Sequence, residues 1–201
     1  MKATSFCRIA ILALVLTAAS CTSTVREGTG TSFLILEALE AASGAEPTEF
    51  GGTLHSDVIT VVNGIPTIFN DSGKARLRLG LKDPGPIGAP NSPSQNQAIT
   101  LDRYTVRYTR ADGRNTPGVD VPYGFDGAMT LTVSTGAVEG GFEIVRHVAK
   151  QEAPLGTLVD SRVIINTIAE VTFYGRDQTG HEVSVVGRIT IDFGNFGDPD
   201  S

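Results

Sequence analysis

From Lys74 onward, apolar and polar residues change places at nearly every step. Ala75, Leu77, Leu79 and Leu81 alternate with Lys74, Arg76, Arg78 and Lys82, and Tyr104, Val106 and Tyr108 alternate with Arg103, Thr105 and Arg107. Met129, Leu131 and Val133 alternate with Thr130 and Thr132. Val163, Ile165, Ala169, Val171 and Phe173 share one parity, and so do Val183, Val185, Ile189, Ile191 and Phe193. A period of two is the period of an extended chain, with one face dry and one wet. Strands with a solvated face belong to antiparallel sheets, and two such sheets bury their apolar faces against each other. The chain therefore reads as all-β, an antiparallel sandwich of about seven or eight strands. A closed barrel would use similar strands.

Punctuation between the strands fits that reading. Asp177-Gln178-Thr179-Gly180 lies between two strong strands and reads as a tight hairpin, and Asp112-Gly113 follows the Tyr104 strand. Asp83 to Ala98 contains Pro84, Pro86, Pro90 and Pro93 and must be a long loop, because proline removes ladder donors. Thr116 to Gly127 is a second long loop. Three segments are less clear. In Ser32 to Gly44, Phe33-Leu34-Ile35-Leu36 favours a strand and Glu37-Ala38-Leu39-Glu40-Ala41-Ala42 favours a helix, so a strand running into a helical turn is expected. Val58 to Val62 reads as a strand, and Phe142 to Ala149 as a strand of irregular pattern.

The first 20 residues follow a different logic. Lys2 and Arg8 are followed by the apolar run Ile9 to Leu16, too short for a bilayer but the right size for an export signal. Thr17-Ala18-Ala19-Ser20-Cys21 resembles the lipobox of bacterial lipoproteins, with Ala18 where that family usually has Leu. The resemblance implies cleavage before Cys21, a diacylglycerol on its thiol and an acylated new amino terminus. Several chains make anchoring effectively permanent. Thr22 is not the Asp that in some bacteria retains lipoproteins in the inner membrane, so the outer membrane is the expected location. The expected organisation is a signal peptide at 1–20, a lipidated Cys21 with a polar tether at 21–31, and a sandwich domain at 32–201.

Charge narrows the partners. Of 16 Lys and Arg, removing Lys2 and Arg8 leaves 14 against 22 acids, a mature charge of −8. Such a domain is ill suited to nucleic acid or anionic lipid, so its membrane attachment is expected through the lipid alone. With Cys7 removed and Cys21 lipidated, no disulfide framework remains.

A second resemblance lies at the C-terminus. Val171 to Val183, with its Asp177-Gln178-Thr179-Gly180 turn, is similar to the closing hairpin of bacterial immunoglobulin-like domains. It implies an immunoglobulin-like sandwich in the architectural sense, for the chain lacks Trp and a Cys pair. The mature chain also resembles uncharacterised exported bacterial proteins, a likeness that implies no activity.

The chemistry of known sites is thinly represented. No nucleophile elbow, phosphate loop or His-Glu-x-x-His is present, and His55, His147 and His181 lack ligand spacing. No cofactor is expected. Calcium is the minority alternative, through Asp126, Asp177, Asp192, Asp198 and Asp200 at turns and strand ends. A glycan-active hydrolase using two loop carboxylates is the alternative function, with Glu139, Glu143, Glu152, Glu170 and Glu182 available and no spacing that singles out a pair. The leading expectation is a non-enzymatic, lipid-anchored module with an envelope protein or glycan as partner. Its contacts are expected at the loops around Pro84–Pro93 and Pro117–Tyr123. Arg76, Arg78, Arg103 and Arg107 would form a basic stripe if their strands were neighbours.

Overall fold

A computed structural model describes residues 30–197. Ten strands run in chain order: β1 (Ser32–Ala42), β2 (Thr53–Asp57), β3 (Thr60–Val62), β4 (Ile65–Thr67), β5 (Asp71–Leu81), β6 (Ile99–Thr109), β7 (Phe125–Val133), β8 (Val138–Val145), β9 (Ile165–Asp177) and β10 (Glu182–Gly194). A short helix, α1 (His147–Gln151), follows β8. One sheet has the order β1-β5-β8 and the other β2-β10-β9-β6-β7, while β3 and β4 form a separate ribbon. All pairings are antiparallel except that of β2 with β10, which is parallel.

The two large sheets close face to face over one core, as the alternation requires. From the small sheet come Leu34, Ala75, Leu77, Leu79, Phe142 and Ile144; from the large sheet come Ile99, Leu101, Val106, Val171, Phe173, Ile189 and Ile191, all buried. Aromatic rings bridge the layers: Phe142 of β8 meets Tyr104 of β6 at 5.1 Å and Phe173 of β9 at 5.2 Å between centroids. Two tyrosine hydroxyls of β6 then reach the backbone of β8. Tyr108 donates to the Ile144 carbonyl at 2.6 Å, and Tyr104 accepts from the Glu143 amide at 3.2 Å. Each is an amphipathic side chain buried with its polar end satisfied, and burial pushes both phenols above their ordinary range.

Where close approach is needed, glycine provides it. Gly73 of β5 lies directly opposite Phe142, and Gly80 directly opposite Phe33. A Cβ at either position would collide with the facing ring.

Several expectations are corrected. Ser32–Ala42 is one continuous strand, with no helical turn. A β-bulge at Glu37, between Leu36 and Ala38 in the register with β5, lets Leu34 and Leu36 before it and Leu39 and Ala41 after it all face the interior. The strand is held along its length by cross-strand ion pairs, Glu37 with Arg76 and Arg78, and Glu40 with Lys74. These override a local helix preference of a few tenths of a kcal/mol per residue. The expected Val58–Val62 strand is instead a break at Val58–Ile59, just past the end of β2, followed by β3, which turns through Asn63-Gly64 into β4 with both turn residues at positive φ. Phe142–Ala149 divides into the end of β8 and the start of α1, and Val163 precedes β9 as an exposed residue. With β2 and β4 added, the strand count is ten. At the start of the described chain, the Thr31 carbonyl accepts the Lys82 amide at 3.1 Å. Cys21 and residues 1–20 lie outside the described residues, as do Asp198 and Asp200.

Candidate functional site

The four arginines singled out by sequence are not brought together. Arg76 and Arg78 lie on β5 of the small sheet, and Arg103 and Arg107 on β6 of the large sheet. On β5, Arg76 pairs with Glu37 and Glu139, and Arg78 with Glu37 at 2.6 Å. Arg107 pairs with Asp126 at 2.9 Å and donates to the carbonyls of Val106 and Phe125. Arg103 differs from the other three, having no carboxylate within ion-pair distance among the described residues.

Its position follows from a second bulge. On β6, Ile99 and Leu101 face the core, and so do Tyr104, Val106 and Tyr108; Asp102 is the extra residue that reconciles the two parities. The bulge directs Asp102 and Arg103 together to the outer face of the large sheet. There the register sets Arg103 opposite Tyr174 of β9, and Tyr174 opposite Ser184 of β10. One step toward the β9–β10 hairpin, Arg176 stands opposite Glu182 and pairs with it at 3.2 Å. The result is a shallow groove of about 110 Å³ lined by Asp102, Arg103, Tyr174, Arg176, Glu182 and Ser184, among others. The Arg103 guanidinium lies 4.1 Å over the Tyr174 ring centroid. Stacking covers one face of the guanidinium and leaves its edge donors for a carboxylate, phosphate or carbonyl. Asp102 and Glu182 at the rim disfavour a polyanion, so the groove suits a ligand with a single anionic or polar group.

A buried polar cluster lies at the other end of the sandwich. Asp71, at the start of β5, is completely buried and accepts hydrogen bonds from Lys150 Nζ at 2.8 Å, Ser56 Oγ at 2.5 Å and the Gly44 amide at 2.9 Å. Burial pushes the Asp71 carboxyl above the ordinary carboxylate range, against the pull of Lys150, Ser56 and Gly44. Lys150 is 1 % exposed and comes from α1. These bonds make the cluster a structural clamp that docks α1 on β5 and β2. Sequence reasoning missed it, since Asp71 and Lys150 are 79 residues apart.

The remaining candidates are dispersed. Asp177 holds the β9–β10 turn: its Oδ1 accepts from the amides of Thr179 and His181 and from Thr179 Oγ. Burial would raise its pKa, but these bonds and that of the His181 ring outweigh it and hold the carboxyl below the usual range. Asp192 faces His55 and Asn166 at the opposite end of the strand pair, and Asp126 pairs with Arg107. Among the described residues no three His, Cys, Asp or Glu side chains are grouped to hold a metal ion. Of the glutamates, Glu139 pairs with Arg76, Glu170 with Arg188 and Glu182 with Arg176, each on its own ladder position. At the start of α1 the Asn70 side-chain oxygen accepts the His147 amide and also contacts the His147 ring nitrogen.

No protein-family model matches the chain, and no curated protein matches it.

Proposed function

We propose that this protein is a lipid-anchored, non-enzymatic binding module of the bacterial cell envelope, held at the outer membrane through Cys21 and engaging its partner through the Arg103–Tyr174 groove. The anchor rests on the Lys2–Cys21 pattern, in which a positive start, a short apolar run and small residues precede a cysteine. The module is, we infer, immunoglobulin-like. Its strand orders support this: β10-β9-β6-β7 corresponds to the G-F-C-C′ sheet of a variable-type domain, and β1-β5-β8 to A-B-E. Among the described residues the edge position of strand D has no counterpart beside β8, and α1 lies in the connection between β8 and β9.

The observation that carries the binding role is Arg103. Its three sequence-predicted companions are neutralised by carboxylates, whereas Arg103 is stacked on an aromatic ring, oriented by a bulge and left with open donors in a groove. An envelope protein or a glycan carrying one anionic group is the partner class that fits.

Two experiments test the reading. Growth with labelled palmitate marks the wild type and not Cys21→Ala; equal labelling of both removes the lipoprotein claim. Intact lipoprotein is then used to recover partners from its own envelope, alongside Arg103→Ala and Tyr174→Ala variants of wild-type stability. A partner retained by the wild type and lost by both variants supports the groove. A partner retained equally by all three places binding elsewhere.

A further inference from the structure

The sandwich has two ends with different contents, and the end from which the tether leaves carries a rigid apolar projection. At that end, Thr31 bonds to Lys82, Ser32 Oγ donates to the Gln97 carbonyl, and Gln178 of the β9–β10 turn donates to the Ala98 carbonyl. The start of β1, the 83–98 loop and the closing hairpin therefore share one end. The Asp71–Lys150 cluster, α1 and the 110–124 loop lie at the other. β9 has 13 residues, so the two ends are separated by about 40 Å at the usual rise of a strand. Nine residue steps link Cys21 to Gly30, a span of at most about 30 Å even when fully drawn out.

The 83–98 loop is not a slack connection. The Asn91 amide donates to the Pro84 carbonyl at 2.9 Å, closing an arch, and inside it the Ala89 amide donates to the Pro86 carbonyl at 2.9 Å, closing a tight turn. Asp83 fixes the base, accepting the Gly85 amide through Oδ1 and the Asn91 side chain through its carbonyl. Gly85, at φ 75°, supplies the left-handed step that starts the arch. Ile87 occupies the first corner of the inner turn and is fully exposed, more than any other large apolar side chain described. From Pro84 to Leu101 the chain contains no charged residue. On an acidic protein this stretch adds no negative charge for an anionic lipid surface to repel.

We propose that Ile87 is a membrane-contact residue, seated by its arch in the headgroup layer of the bilayer that holds the lipid anchor. The inference rests on the lipoprotein reading above. Apolar side chains on the near surface of an anchored protein gain by entering the interface. A braced arch presents Ile87 without the ordering cost that a flexible loop would incur. The result is an orientation: the domain stands on its tether end and holds α1 and the 110–124 loop about 40 Å out.

The chain contains no tryptophan, so a single introduced indole reports unambiguously. Ile87→Trp and, at the far end, Val119→Trp are made in the full-length lipoprotein. Each is reconstituted in vesicles of phosphatidylethanolamine and phosphatidylglycerol with brominated acyl chains. Val119 is also an exposed apolar residue, so both substitutions leave the core intact. The expected result is a blue-shifted emission from the Ile87→Trp variant, strongly quenched by the brominated lipid, and an unquenched emission from the Val119→Trp variant. No quenching of the Ile87→Trp variant overturns the proposal. Equal quenching of both variants overturns it too, since the domain would then lie on its side. Palmitate labelling of the same preparations separates the two failures. A labelled Ile87→Trp chain whose emission the lipid does not quench removes only the contact, whereas an unlabelled chain removes the anchor and the contact together.

Discussion

Lys150→Met removes the cation from the Asp71 cluster while keeping the unbranched stem. Both partners are at most 1 % exposed, so water does not replace the lost ammonium. Removing one partner of a buried ion pair costs about 3–5 kcal/mol, largely because the other charge is left uncompensated. For a domain of this size each kcal/mol moves the melting temperature by about 2–4 °C, so a fall of about 6–20 °C is expected. The pH dependence has a definite sign. Asp71 already has its folded-state pKa raised by burial, with Lys150 pulling against that rise. Without Lys150 it rises further. A carboxyl whose folded value exceeds its unfolded one stabilises the fold fully when protonated, below about pH 4, and that contribution is lost as pH rises through the raised value. The deficit relative to wild type is therefore smaller near pH 4 than near pH 7. Urea unfolding followed by circular dichroism at both values reads it directly. A loss below about 1 kcal/mol at neutral pH, the scale of an exposed pair, or a larger deficit in acid than at neutrality, would refute the clamp.

Other consequences follow from the same geometry. Gly73→Ala should cost about 1–3 kcal/mol by overpacking against the buried Phe142 ring. Gly80→Ala should cost less, because Phe33 is 41 % exposed and can swing outward; thermal melts of the pair should rank in that order. Asp177→Ala strips four hydrogen bonds from the closing turn, that of the His181 ring included, and should cost about 1–3 kcal/mol. Because its pKa is lowered, the Asp177 contribution is present above the ordinary Asp value and fades as pH falls through the depressed one; wild type and variant should converge in acid unfolding titrations. Glu170→Ala, which removes an exposed partner of Arg188, should change stability by less than about 1 kcal/mol; a larger loss in a denaturant melt would mean that the outer face is energetically coupled.

The legible part of this protein was the part with unbroken period two. β5, β7, β9 and β10 keep one parity throughout, so most of their apolar inward residues were identifiable, although β7 begins at Phe125, inside the stretch to Gly127 that reads as loop, and the polar inward Asp71 and Thr167 gave no signal. β1 and β6 each carry a bulge, at Glu37 and Asp102, that switches parity in mid-strand. In β1 the switch left Glu37 to Ala42 looking helical. In β6 it hid Ile99 and Leu101 from the pattern set by Tyr104. The Asn63-Gly64 hairpin had a readable signal, because that dipeptide favours the two-residue turn with positive φ at both positions. Flanking strands of three residues were too short to show a period. β2 could not be read because it pairs in parallel with a strand more than 130 residues later. As for the site, Arg103 was visible as an outward charge, but its difference from Arg76, Arg78 and Arg107 depends on register. Only the pairing of β6 with β9 puts Tyr174 beneath it. The Asp71–Lys150 clamp has no local signature of any kind.

The anchor is tested most directly by the intact mass and N-terminal peptide of the protein purified from its own membranes. A chain that begins at Cys21 and carries a diacylglyceryl group with an acylated amino terminus is the predicted result. A chain that begins elsewhere, or a Cys21 with an unmodified thiol, would contradict it.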